Sequence, residues 1–254
     1  LWCTINEPLV YAVYGYLFGL WPPGRGGLRA MRRVVRNQAH AHASAYEAIH
    51  WRQADALVGY ATHLRIFDPA SGRWPDRAAA ALTDHVFNQC ELQAFRDGTL
   101  LFPFGWGSAL RTGPKEKLID FIGLNYYSRD MVALDLRRPR DLFLRRSANP
   151  DGPYSMDGWG EIYPEGLYRS LLRMGQEGVS VYITEFGIPD NDDRQRPRFI
   201  IEHVAAMHRA LGEGIPIKGA YFWSLVDNFE WAAGWSARFG LLSLDPQTQE
   251  RTLT

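Results

Sequence analysis

The chain has 254 residues with 28 basic and 28 acidic side chains, so its formal net charge is zero, and 46% of it is hydrophobic. That is enough for one large domain or two small ones, with an ordinary soluble globular composition and no charge run that calls for nucleic acid or a cationic partner. Cys3 and Cys90 are the only cysteines, too few for a disulfide framework and consistent with a cytoplasmic location; no signal peptide or membrane span is evident.

Residues 1–5 form a short apolar run that reads as a strand. Because Leu1 already lies inside that pattern, a segment upstream of it is expected. A loop rich in Gly and Pro follows, with Trp21-Pro22-Pro23-Gly24 and Gly26-Gly27 as breakers. Residues 31–53 are helical, with apolar positions recurring through Val34, Val35, Ala41, Ala45, Ala48 and Ile49; Arg32, Arg33 and Arg36 read as a solvated face of that helix. Residues 57–64 are the next strand and 76–95 the next helix, stopped by Asp97-Gly98. Residues 119–124 are a strand running into Asn125-Tyr126-Tyr127, and 134–149, rich in Arg and Asp, an exposed loop or hairpin. Pro164 can open a helix over 166–176, with Gly178 as its stop. A strand over 181–184, a helix over 196–211 and a strand over 217–223 complete the series.

Strands alternating with helices imply a parallel sheet and an α/β fold. The expected architecture is a (β/α)8 TIM-type barrel of which about five of the eight strand–helix units are present. It is expected to be a single domain over residues 1–254, without the first three units and the final helix.

Several polar residues fall at the C-terminal ends of the predicted strands, the rim where such barrels place their chemistry. In Asn6-Glu7-Pro8, the proline cannot donate to a sheet ladder and disfavours helical geometry at Glu7, so the strand must end there. Glu185 ends another strand, before Phe186-Gly187, where the glycine permits a sharp turn. Two carboxylates facing each other across a pocket are the minimal equipment for cleaving a glycosidic bond. Taken singly, each reads equally well as a strand-end carboxylate paired with a surface arginine. Asn125 and Tyr127 end a third strand on the same rim, where a buried tyrosine hydroxyl would need a partner, although aromatics there could simply cap the core.

The densest stretch runs from Phe222 to Trp231 and on to Trp235 and Phe239-Gly240. Sugars offer apolar faces and many hydroxyls, so their sites combine aromatics with carboxylates and amides; Trp223, Glu230 and Trp231 form such a set. His40, His42 and His50 share one helix without the i, i+4 spacing of a metal pair, and neither a phosphate loop nor a dinucleotide fingerprint occurs. No metal and no cofactor is expected.

These segments resemble glycoside hydrolase family 1, the retaining β-glucosidase and β-galactosidase group. The resemblance rests on WCTINEP at 2–8, FIGLNYYS at 121–128, YPEGL at 163–167, YITEFG at 182–187 and GAYFWSLVDNFEWAAGWSARFGLLSLD at 219–245. It implies Glu7 as acid/base, Glu185 as nucleophile, and Tyr127 as the tyrosine that hydrogen-bonds Glu185. Asn6 would bind the sugar 2-hydroxyl. Glu230 and Trp231 would hold the 3-, 4- and 6-hydroxyls, Trp223 would lie beneath the ring, and Phe239 would line the pocket. Trp231-Ala232 with Arg238-Phe239 looks like the class that acts on non-phosphorylated sugars. Glu185-Phe186-Gly187 departs from the usual Glu-Asn-Gly.

The family's N-terminal segment, with three strands, a Gln and a His for the 3- and 4-hydroxyls and an Arg near the nucleophile, has no counterpart here. The resemblance therefore implies a retaining β-glycosidase acting on a small β-glycoside or oligosaccharide. It would need the nucleophile ionised and the acid's pKa raised. The rival readings are a sugar-binding or structural fragment that cannot turn over, and a transglycosidase. A homo-oligomer or a companion segment would cover the open sheet.

Overall fold

The structure, a computed structural model, describes residues 1–110, 117–155 and 159–254. Five parallel strands form one sheet in chain order: β1 (Trp2–Asn6), β2 (Val58–His63), β3 (Phe121–Tyr126), β4 (Ser180–Phe186) and β5 (Ile217–Phe222). Each neighbouring pair is parallel, which is the arrangement of a run of consecutive units from a (β/α)8 barrel. All five lie where the hydrophobic pattern places them, with ends moved by at most two residues.

Burial falls from the centre of the sheet to its edges. Every residue of β3 is buried, and so is all of β2 except His63. Strands covered on both faces read as continuous apolar runs, as these do. The edge strands β1 and β5 are mostly half-exposed or exposed, Trp2 at 51% and Tyr221 at 56%. Their outer backbone groups are unpaired with any other strand among the described residues.

The helices pack by the spacing expected of amphipathic elements. Leu28–Arg52 buries Met31, Val35, Ala39, His42 and Ala43. Pro164–Gly175 buries Leu167, Leu171 and Met174, and Arg196–Gly212 buries Phe199, His203, Met207 and Ala210. No described helix is long and apolar enough to cross a membrane.

Three departures from the sequence reading shape the site. Where a loop was expected after Glu7, Pro8–Ala12 is helical and runs into a π-helical turn over Val13–Leu17. The helix expected over 76–95 is divided into Trp74–Asp84 and Cys90–Asp97 by a π-helical turn over His85–Gln89. That turn aims Asn88 at the backbone of Arg65: its side-chain amide donates to the Arg65 carbonyl at 2.8 Å and its oxygen accepts the Arg65 N–H at 3.3 Å. Finally, Ile66–Pro69 pairs parallel with Arg129–Leu134, which pairs antiparallel with Leu144–Ser147. The hairpin alternative for 134–149 is the one realised, with Leu144–Ser147 as its returning strand. The other two strands of this outer sheet carry little alternation of their own and are held by pairing across more than 60 residues.

Candidate active site

The C-terminal ends of the five strands converge on a cavity of about 450 Å³. Asn6 and Glu7 reach it from β1, His63 from β2, Tyr127 from beyond β3, Glu185 from β4, and Trp223, Glu230, Trp231 and Phe239 from the segment after β5. Of the residues singled out in the sequence, only Asn125 does not line it; that side chain is fully buried.

Glu7 sits in left-handed backbone conformation, φ 46° and ψ 55°, an uncommon geometry for a residue with a side chain and one that clusters at functional positions. Pro8 excludes the right-handed region, and the Glu7 N–H donates to the Ala61 carbonyl at 2.8 Å, closing the strand. The Glu7 carboxylate is held at Oε1 by two partners: the Nδ1 of His63 at 3.1 Å and the side-chain amide of Asn125 at 2.9 Å. That same Asn125 amide donates to Asn6 Oδ1 at 3.0 Å, and Asn125 Oδ1 accepts from the Thr184 hydroxyl at 2.6 Å. Asn125 is thus a buried brace joining the ends of β1, β3 and β4.

Glu185 accepts a 2.6 Å hydrogen bond from the Tyr127 hydroxyl, and the Asn6 side chain favours its charged form. Burial, then the charge of Glu185, push the Tyr127 phenol well above its usual range, so it stays protonated and donates. The glycine after Phe186 serves close packing: a Cβ on Gly187 would collide with the carbonyl oxygen of Trp223, so the β4 end and the segment after β5 can approach only if this residue lacks a side chain. Beyond β5, Glu230 is nearly buried, accepting from Asn228 at 2.8 Å and from the Trp223 indole N–H at 3.4 Å. Trp231 is 72% exposed at the cavity mouth. Phe239 is fully buried and packs edge-to-face against Trp159 and Tyr127.

The two carboxylates are polarised in the order opposite to the one a retaining reaction needs. Burial alone would raise the Glu7 pKa, but the His63 charge and the hydrogen bonds from His63 and Asn125 outweigh it and hold the group below its ordinary value. Glu185 is pushed up to about 7, first by burial and then by the charge of Glu7, against the hydrogen bond from Tyr127 and the Asn6 side chain. The expectation of an ionised nucleophile and a raised acid is corrected accordingly. The reason is placement: His63 lowers both groups but is hydrogen-bonded to Glu7 and not to Glu185.

His63, Arg65, Arg146, Trp159, Tyr14 and Trp21 also line the cavity and were not singled out in the sequence. His63 and Arg65 were legible in principle, since they follow a predicted strand on the same rim. Tyr14 comes from the π-helical turn, which the pattern did not show, Arg146 from the returning strand of the outer sheet, and Trp21 and Trp159 from irregular segments. Of the helix histidines, His42 is buried between the Thr4 hydroxyl and the Leu118 carbonyl, His50 contacts Asp120, and His40 is exposed.

The family model described as "Glycosyl hydrolase family 1" matches residues 1–254. The chain is similar to a 1,4-beta-D-glucan glucohydrolase of Thermotoga neapolitana, 35% identical over 99% of this chain and 60% of that protein. A beta-galactosidase of Pyrococcus woesei is 33% identical over 99% of this chain and 54% of its own length. The solved beta-glucosidase of Thermotoga maritima in complex with glucoimidazole superposes with a TM-score of 0.86 at 32% identity, covering 100% of this chain and 60% of that one. The chain therefore spans roughly 54–60% of the length of these relatives.

Proposed function

Because the chain belongs to glycosyl hydrolase family 1, we propose that it carries the two catalytic carboxylates of a retaining β-glycosidase acting on non-phosphorylated β-glucosides or β-galactosides. One observation carries this reading. Glu7 and Glu185 open onto a single cavity, each with its own set of donors, beside an aromatic and carboxylate wall suited to a sugar.

Glu185 attacks the anomeric carbon, forming a glycosyl ester as the bond to the leaving oxygen breaks. Glu7 gives its proton to that oxygen, then takes a proton from water as the hydroxide equivalent displaces Glu185 and releases the sugar with its β configuration. Retention by this route needs the carboxyl groups about 5–5.5 Å apart. Tyr127 and Asn6 orient the nucleophile. Trp223, Glu230, Trp231 and Phe239 hold the sugar, while Asn125 acts behind the site as a positioning residue.

The polarisation of the carboxylates supports a second element of the proposal: three further strand–helix units close the sheet between β5 and β1. Both edges are open, the relatives are longer, and Glu185 at about 7 lacks a cation of its own. A cation arriving with those units would ionise Glu185 and, through the charge repulsion between the two carboxylates, leave the proton on Glu7.

The reading is tested by intact mass after incubation with 2-deoxy-2-fluoro β-glucoside and β-galactoside bearing a dinitrophenyl leaving group. The expected result is one added fluorosugar on the wild-type chain and none on Glu185→Gln. No adduct from either sugar, with or without the segment that closes the sheet, would overturn it.

A further inference from the structure

The leaving-group end of the cavity carries a chemistry of its own. Along the sheet, Glu7 and His63 stand at the β1–β2 side, whereas Trp223 and Glu230 follow β5 at the far edge. Since Glu7 is the group that protonates the leaving oxygen, the wall beyond it faces the leaving group. That wall is apolar and aromatic: Tyr14 stacks on Trp21 with centroids 4.7 Å apart and planes 22° apart, and Phe87 meets the His63 ring edge-to-face.

Two guanidiniums also line the cavity, Arg65, two residues after His63, and Arg146, which reaches towards the same Asp130. Arg65 holds Asp130 in a bidentate pair: its Nε and a terminal nitrogen each reach a different oxygen of that carboxylate at 2.9 Å. Arg146, on the outer strand Leu144–Ser147, has only the remainder of that carboxylate, at 3.8 Å, beyond hydrogen-bond distance. Among the described residues, two positive charges share one negative charge here. Arg146 keeps its donors free, with 40% of its side chain exposed.

We propose that this end of the cavity selects β-glycosides whose leaving group is an aromatic ring bearing a carboxylate, with Arg146 as the residue that pairs the acid. The ring lies against the Tyr14–Trp21 and Phe87 wall and its carboxylate takes the donors that Asp130 leaves unused. A guanidinium facing a carboxylate across a partly desolvated cavity makes a charge-assisted pair that a neutral amide cannot reproduce. The proposal rests on the hydrolase reading above and names the substrate class of that site.

The test compares 4-carboxyphenyl with 4-carbamoylphenyl β-glycosides, in the glucose and galactose series, on the wild-type protein and on Arg146→Gln. The carboxamide is the more electron-withdrawing substituent, so bond breaking alone favours it. The wild type is expected to show kcat/KM about tenfold higher for the carboxylate at low salt, from one charge-assisted pair, with the preference shrinking as ionic strength rises. In Arg146→Gln, a surface-reaching change that the fold tolerates, the ratio is expected to fall to one or below. A wild-type ratio of one or less, or an unchanged ratio in Arg146→Gln, would overturn the assignment while leaving the hydrolase reading standing. Cleavage of neither series, with or without the segment that closes the sheet, would overturn the hydrolase reading itself, and this assignment with it.

Discussion

The side-chain amide of Asn125 donates to Glu7 Oε1 at 2.9 Å and to Asn6 Oδ1 at 3.0 Å, while its oxygen takes the Thr184 hydroxyl at 2.6 Å. One buried side chain thereby sets the position of Glu7, the proposed acid/base, and ties three strand ends together. Asn125→Leu removes this donor from Glu7, which keeps His63, and from Asn6, and leaves the Thr184 hydroxyl without its acceptor beside an apolar side chain, at a cost of about 1–3 kcal/mol. Urea unfolding monitored by circular dichroism should report that loss, with little change in the denaturant slope.

Glu185→Gln keeps the shape of the side chain and removes the nucleophile. Turnover should drop by at least about 10³-fold, with azide or another small anion unable to restore a retained product through residue 185. Its thermal midpoint should stay equal to or slightly above that of the wild type near neutral pH, because an amide there is not repelled by Glu7. A wild-type rate in this variant would refute the assignment.

His63 is the strongest influence holding Glu7 below its ordinary pKa. In His63→Gln, burial becomes the dominant effect and the Glu7 pKa rises. Carbon-13 NMR of a glutamate-labelled sample, with Glu7→Gln to assign the signal, should show that midpoint move upward. An unmoved midpoint would mean the His63 contact carries no charge.

Two buried carboxyls make stability depend on pH. Glu91 lies in the core, accepts the Leu9 N–H at 3.1 Å and is pushed by burial up to about 8; Glu185 is raised to about 7. A carboxyl whose folded pKa is raised binds more protons folded than unfolded, so its contribution is complete below the unfolded value of 4.5 and is lost as the pH climbs to the folded one. Stability should therefore fall between pH 4.5 and 8. Glu91→Gln should remove most of the slope that persists above pH 7, a difference on the order of 1–3 kcal/mol at pH 8. Denaturant midpoints of the two proteins measured at pH 5 and pH 8 would show parallel behaviour if Glu91 were ordinary.

By itself, the sequence determined where the five strands run and which side chains end them. A strand's apolar run, the proline after Glu7 and the alternation with helices are local signals, readable within ten residues. The rim position of Glu7, Asn125, Tyr127 and Glu185 follows directly, because parallel strands end on one face. That Trp223, Glu230 and Trp231 belong together was legible in composition, and the structure places all three on one cavity. The tertiary structure alone decided what those residues do to one another. His63 belongs to a predicted strand, yet its partner Glu7 is 56 positions away, and no local pattern encodes that contact. Tyr14 reaches the cavity from a π-helical turn, Trp21 from the irregular segment after it, and Arg146 from an outer sheet held by long-range pairing. The order of the two carboxyl pKa values was likewise beyond the sequence. It depends on burial and on which carboxylate a single imidazole touches, and both are fixed only when distant segments pack.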